Sequence, residues 1–262
     1  MLITLLTDFG LGDVYVGVMK GTIAQINPQI QTIDLTHQVP PQDIAAARFQ
    51  LMNAYPYFPD GTVHIAVVDP GVGGQRRSIA VQLKAGYVVA PDNGVISGVM
   101  SEAGTYPCSE AIAAVELNNP KYWRSQNPSA TFHGRDIFAP VGAHLASGVP
   151  LQEFGTEIDL ASIVRLPIPD VIETETGLQG VIQAIDRFGN LITNIPGEKV
   201  RDRAWSIRID GTVYPGKTTY TDAAIGEIVG LIGSHGWIEL AMNCGDARND
   251  LNLNVGKAIV VI

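Results

Sequence analysis

The 262-residue chain is 46% hydrophobic and 16% charged, a balance that excludes disorder and allows one large core or two smaller ones. Its net charge of -9 argues against nucleic acid and anionic membrane as partners, since both select basic patches. The same acidity would mildly attract a cationic small molecule.

Cys108 and Cys244 stand far apart and in no metal or redox spacing, so a disulfide framework is not expected and a reduced cytoplasmic setting is. The first residues lack a basic segment and meet Asp8 after a short apolar run, which reads as a first buried strand and not a signal peptide. No stretch approaches the ~20 apolar residues that a membrane span needs.

In chain order, residues 2–6 predict a strand ending at Thr7-Asp8-Phe9-Gly10. Asp13 is placed to cap a helix carrying Val14, Val18, Ile23 and Ile26, which Asn27-Pro28 stops. Ile30–Leu35 reads as a strand, 42–55 as a helix, and Val63-His-Ile-Ala-Val-Val68 as a strand, apolar but for His64, ending at Asp69-Pro70-Gly71. Further strands are expected at 78–83, 87–90 and 111–117, with a helix at 136–147. This alternation predicts an α/β domain over 1–168 with a mostly parallel sheet covered on both faces. A proline-punctuated linker follows at 165–170. From 175 to 262, short runs at 181–186, 190–195, 205–210, 228–233, 237–242 and 257–262 predict a smaller antiparallel, barrel-like β-domain.

Asp8 and Asp69 both follow strand C-termini, the edge where open α/β sheets bind ligands. A lone Asp-x-Gly is more often a turn aspartate bonding its own backbone. Two such carboxylates ending two strands shift the balance toward function. Asp69 and Arg76 stand at either end of a glycine-rich loop that can fold the guanidinium onto the carboxylate as a bidentate pair. Such a pair can staple the loop, or present the remaining N–H groups to an anion or a water. His133 lies in Phe132-His-Gly-Arg-Asp136; a lone histidine is more often structural, and His37, His64, His144 and His235 share that reading. Asp186-Arg-Phe-Gly-Asn190 reads as a tight turn between two strands. The Asp-Phe-Gly and His-Gly-Arg-Asp runs are not kinase loops, since their order is reversed and no glycine-rich phosphate loop or strand lysine precedes them. Val72-Gly73-Gly74 lacks the Gly-Lys-Ser/Thr ending of a phosphate loop.

These residues leave two kinds of site open. One is a metal-free nucleotide or nucleoside site at a domain junction. The other is a metal-dependent phosphoesterase site built from Asp8, Asp69, His133 and Asp136. No His-x-x-x-His spacing supports the second.

Six motifs in register narrow the choice. Thr7-Asp-Phe-Gly-x-x-Asp13, Val68-Asp-Pro-Gly-Val-Gly73 with Arg76, Pro91-Asp-Asn-Gly94, Phe132-His-Gly-Arg-Asp136, Asp186-Arg-Phe-Gly-Asn190 and Gly233-Ser-x-Gly236 resemble the S-adenosylmethionine (SAM) hydrolases that form adenosine. These are also called SAM hydroxide adenosyltransferases and are related to the bacterial fluorinase and chlorinase. The resemblance spans essentially the whole chain. It implies an α/β domain, a β-barrel-like domain, no metal or cofactor, and a homotrimer with SAM bound between subunits. The family's Asp–Arg–His triad falls on Asp69, Arg76 and His133. The halogenases carry tyrosine at the positions of Asp69 and His133, so the resemblance is to the hydrolase branch. By the same resemblance Asp8 would hold both ribose hydroxyls, and Asp13 and Asp186 would face the methionine ammonium. Ser234 would meet the carboxylate and Tyr220 would stack on adenine. Asn190, with the Asn243-Cys244 backbone, would read the adenine edge. His235 departs from the arginine that the halogenating relatives carry after the serine. The runner-up functions are a metal-dependent nucleotide phosphoesterase and a non-catalytic SAM-binding protein.

Overall fold

The computed structural model describes residues 1–100, 110–201 and 203–262; Cys108 lies outside them. The chain divides into two compact units, Met1–Leu166 and Pro167–Ile262.

In the first unit, strand β1 (Leu2–Thr7) leads into helix α1 (Tyr15–Ile26), and strand β2 (Gln31–Thr36) into helix α2 (Ile44–Ala54). Strands β3 (Thr62–Val67), β4 (Ser78–Leu83), β5 (Gly86–Pro91) and β6 (Ala111–Glu116) follow, then helix α3 (Ala139–Ala146) and a short strand β7 (Thr156–Glu157). The sheet order is β2-β1-β3-β5-β4-β6-β7. Pairings from β2 to β5 are parallel, whereas β5-β4, β4-β6 and β6-β7 are antiparallel, so the sheet is mixed. Strand β3 is buried along its whole length, which explains its lack of polar alternation. Edge strand β2 is partly open to solvent and keeps its polar residues. The core runs from Ile3, Leu5, Ile65 and Val67 to Ile137, Phe138 and Val141.

One local expectation fails. Asp13 does not cap α1: the N-cap is Val14, which makes no side-chain capping bond. The helix starts at Tyr15, leaving the Asp13 carboxylate one residue too early to accept from its first free amides. Asp43 does cap α2, accepting from the Ala46 amide at 2.9 Å. Pro28 biases Asn27 to its extended conformation and so ends α1.

Buried His64 on β3 bonds Thr4 Oγ1 at 2.8 Å and packs against the Tyr55 and Phe58 rings. Burial lowers its pKa from 6.5 to about 4. The unfolded chain therefore binds a proton here at a higher pH than the folded chain does. Stability is expected to fall as pH drops from about 6.5 toward about 4, by on the order of 3 kcal/mol. Urea unfolding of the wild type and of His64→Gln should show the difference between them closing over that window. A constant difference would assign the acid sensitivity elsewhere.

The second unit is an antiparallel sheet that nearly closes on itself. Its strands are β8 (Ile172–Thr174), β9 (Gly177–Ile185), β10 (Leu191–Pro196), β11 (Ser206–Ile209), β12 (Thr212–Pro215), β13 (Ile228–Ile232), β14 (Trp237–Met242) and β15 (Ala258–Val261). The order is β12-β11-β15-β9-β10-β14-β13, with β8 beside β9. A bridge between Gly216 and Gly230 joins the two ends of that order, reinforced by Lys217 N–H donating to the Gly230 carbonyl at 2.8 Å. The Trp205 ring lies over both glycines. Ile182, Leu191, Ile207, Ile238 and Ile259 fill the interior. The sequence pattern missed β8, β12 and a short helix, α4 (Ala247–Leu251), none long enough to show a period.

Candidate active site

The register of β1 on β3 pairs Thr7 with Val67, which brings the turns beginning at Asp8 and Asp69 to one edge of the sheet. Asp8 is half-buried, and its Oδ2 accepts the Gln42 N–H at 2.8 Å. Gln42 holds a left-handed backbone (φ 67°), a costly conformation for a non-glycine residue. The Asp8 turn is pinned from beneath. Buried His37 puts Nδ1 2.8 Å from Thr7 Oγ1, and its carbonyl accepts the Gly10 N–H at 2.7 Å. Asp13 lies in the exposed bend beyond.

Arg76 does fold back across its loop onto Asp69. Nε donates to the two carboxylate oxygens at 3.0 and 3.1 Å, and Nη2 donates to Oδ2. With side chains only 11% and 5% exposed, the pair is largely shielded from water. Nη1 donates to Ser78 Oγ at 2.8 Å, and the guanidinium carbon stands 5.6 Å from the centre of the Phe138 ring. Gly73, at the loop's tip, has φ +74° and lies against Ala130, whose carbonyl oxygen a Cβ would meet at 2.1 Å. Only glycine lets the two loops approach so closely.

The second Nη2 proton goes to His133 Nδ1 at 2.8 Å. Guanidinium donates and cannot accept, so Nδ1 must be the acceptor and the imidazole proton sits on Nε2. Burial, then the Arg76 charge, hold the His133 pKa below its ordinary value, against smaller opposing effects of Asp69 and Asp136. His133 opens a single π-helical turn, Gly134–Phe138, that runs into α3. Buried Asp136 anchors that turn through Arg135, Arg124 and the Ser129 N–H. Burial pushes the Asp136 pKa up, but these donors and the two arginine charges together bring it below the usual range.

In the second unit, Asp186-Arg-Phe-Gly-Asn190 is the turn between β9 and β10. Asp186 Oδ1 accepts the Phe188 and Asn190 amides, and Oδ2 accepts from Asn190 Nδ2, each at 2.9 Å. Tyr220 is exposed and donates its hydroxyl to Glu239. Ser234 is exposed on the loop between β13 and β14. The Asn243 N–H already serves the Glu227 carbonyl, so it has no backbone proton left to offer a ligand. Cys244 is exposed in a left-handed conformation (φ 57°).

The family model of the SAM hydroxide adenosyltransferase N-terminal domain matches residues 3–155, and that of the C-terminal domain matches 180–260. The chain belongs to the SAM hydroxide adenosyltransferase family. It is 38% identical over 259 residues to an (R)-S-adenosyl-L-methionine hydrolase of Salinispora tropica, covering 99% of this chain and 97% of that one. It is 37% identical to a namesake from Thermus thermophilus, covering 97% and 96%. A fluorinase of Actinoplanes is 30% identical, covering 99% and 97%. The crystal structure of an uncharacterized conserved protein from Thermotoga maritima superposes with a TM-score of 0.90 at 36% identity, covering 100% of this chain and 99% of that one.

In this chain the first unit gathers Asp69, Arg76 and His133 into one hydrogen-bonded array. It leaves Asp13 on the surface, and Asp186, Asn190, Tyr220, Ser234, Asn243 and Cys244 belong to the second unit. Three supporting residues escaped the sequence reading. Ser78 holds Arg76, Asn93 donates to the Val68 carbonyl at 2.8 Å just before Asp69, and Glu239 holds Tyr220. Asn93 lay within a quoted motif without a role. A glutamate inside the apolar run Trp237–Met242 was the one available signal for Glu239.

Proposed function

We propose that this protein hydrolyses SAM to adenosine and methionine without a metal, using Asp69, Arg76 and His133 to present hydroxide to the ribose 5′ carbon. The donation from Arg76 to His133 Nδ1 carries the reading. It spends the basic nitrogen of the imidazole and leaves Nε2–H as a donor, so His133 orients an oxygen nucleophile and does not take its proton. One Nη1 proton of Arg76 has no acceptor among the described residues. Together these N–H groups form a preorganised cradle for hydroxide. Oxygen forms a bond to C5′ as the C5′–sulfur bond breaks. Its electron pair neutralises the sulfonium, and the proton lost from water leaves to solvent. Neutral methionine departs without a general acid, and the cancellation of charge favours a dry site. Asp8 takes the ribose hydroxyls, while Asp186, Asn190, Tyr220, Ser234 and the Asn243-Cys244 segment address adenine and the methionine head group.

Asp69 spends its oxygens on Arg76, which makes it a poor metal ligand, and the described residues contain no cluster of three metal-binding side chains. Activity is expected to persist in excess EDTA; recovery only on adding a divalent ion would favour a metallophosphoesterase. Chromatography after incubation with SAM tests the central reading, and intact SAM would mark a binding protein instead.

The subunits form a homotrimer in this reading, with the first unit of one subunit and the second unit of its neighbour sharing each ligand. Light scattering should give a trimer mass for the active species. A fully active monomer would remove the shared site. None of the described helices is long and apolar enough to cross a membrane.

A further inference from the structure

Glu239 is a carboxylate that the chemistry above does not use. It sits inside β14 at 2% exposure, where an unpaired charge would be costly. Two groups satisfy it. The Tyr220 hydroxyl donates to Oε1 at 2.7 Å, and His235 Nε2 stands 3.1 Å from Oε2. His235 Nδ1 accepts the Trp237 backbone N–H at 3.2 Å, so the ring proton must be on Nε2 and must point at Glu239. The carboxylate also packs under the Gly233–Gly236 loop, since a Cβ on Gly233 would meet its Oε2 at 2.5 Å and the His235 ring at 2.4 Å. Tyr220 belongs to a single helical turn, Tyr220–Asp222, too short to hold a large ring by packing alone. Burial first, then the Glu239 hydrogen bond and charge and the Asp186 charge, push its phenol pKa well up.

We propose that Glu239 is a positioning residue for ligand recognition, fixing the exposed Tyr220 ring through its hydroxyl and the Ser234 loop through His235. A ring held in one plane stacks on a flat base without first losing its rotational freedom. A loop held at one height keeps Ser234 ready for a carboxylate. The inference rests on the reading above, in which this face meets adenine and the methionine head group.

Glu239→Gln, Tyr220→Phe and the double variant test it. Each single change should raise KM for SAM by about 3- to 10-fold with kcat within about twofold, the size expected for losing the order of one side chain. The double variant should be no worse than the poorer single one, because Tyr220→Phe removes the hydroxyl and Glu239→Gln sets an amide NH2 against that hydroxyl or against His235 Nε2–H, so both disturb the same array. Without SAM, an ultraviolet titration of the wild type should show one tyrosine that ionises late. Glu239→Gln should bring it down and Tyr220→Phe should remove it. The groups facing that phenol are Glu239 and Asp186, with His235 on the far side of Glu239. Unchanged KM in Glu239→Gln, or additive effects in the double variant, would overturn the proposal. If Glu239→Gln does not fold, Tyr220→Phe alone decides, and an unaltered KM there would also overturn it. Should the wild type prove not to hydrolyse SAM, the titration still judges the contact. Calorimetry with adenosine then judges the positioning, an unweakened affinity counting against it.

Discussion

Replacing Arg76 with alanine is expected to lower turnover of SAM by roughly 100-fold or more while changing SAM affinity only a few-fold. In the proposed mechanism the guanidinium addresses the nucleophile and not the substrate, so its loss falls on the transition state. It also undoes its neighbours. Asp69 keeps a shielded charge without a partner, and His133 loses the donor that fixes its tautomer. Arg76→Lys should rescue little, because one ammonium cannot reach Asp69, Ser78 and His133 from the positions the planar fork occupies. His133→Ala should resemble Arg76→Ala, and Asp69→Asn should fall between, since an amide oxygen still orients the arginine. Single-turnover rates beside calorimetric affinities separate the two effects. Labelled water should place its oxygen on C5′ of adenosine. Loss of affinity with turnover intact in Arg76→Ala would reverse the assigned roles.

Asp8→Ala should do the opposite, weakening SAM and adenosine binding by about 10- to 100-fold through loss of charged hydrogen bonds. Bound ligand should still react at a rate within an order of magnitude of the wild type. Asp8→Asn should be intermediate, retaining one acceptor oxygen for the Gln42 amide or for a ribose hydroxyl. Melting curves distinguish a lost contact from a collapsed turn, because the His37–Thr7 contact beneath does not depend on Asp8. Wild-type affinity in Asp8→Ala would remove the ribose clamp from the mechanism.

Much of this architecture was legible because burial leaves a plain trace. Strands β1 and β3 read as strands from runs that are apolar but for Thr4 and His64, and their ends marked Asp8 and Asp69. The antiparallel half of the first sheet was not legible, since β4 and β6 are as apolar as a parallel strand and pairing direction leaves no mark in composition. The Asp69–Arg76 pair was readable as a glycine loop with opposite charges at its ends. Ser78, Asn93 and Glu239 were not assigned roles, each being a lone polar side chain whose partner is named only by the fold. The His133 tautomer was beyond reach for the same reason: it depends on which atom of Arg76 arrives.

The near-closure of the second sheet matters for the protein's behaviour in a crowded solution. An open antiparallel sheet ends in two rows of unsatisfied amides and carbonyls that another chain can extend. Here the Gly216–Gly230 bridge turns part of each row toward the other. Trp205 roofs the seam so tightly that a Cβ on Gly216 would fall 2.4 Å from its ring, and one on Gly230 2.9 Å. A side chain at either position is expected to push Trp205 off the seam and bare the edges of β12 and β13, the kind of open edge that another chain can extend.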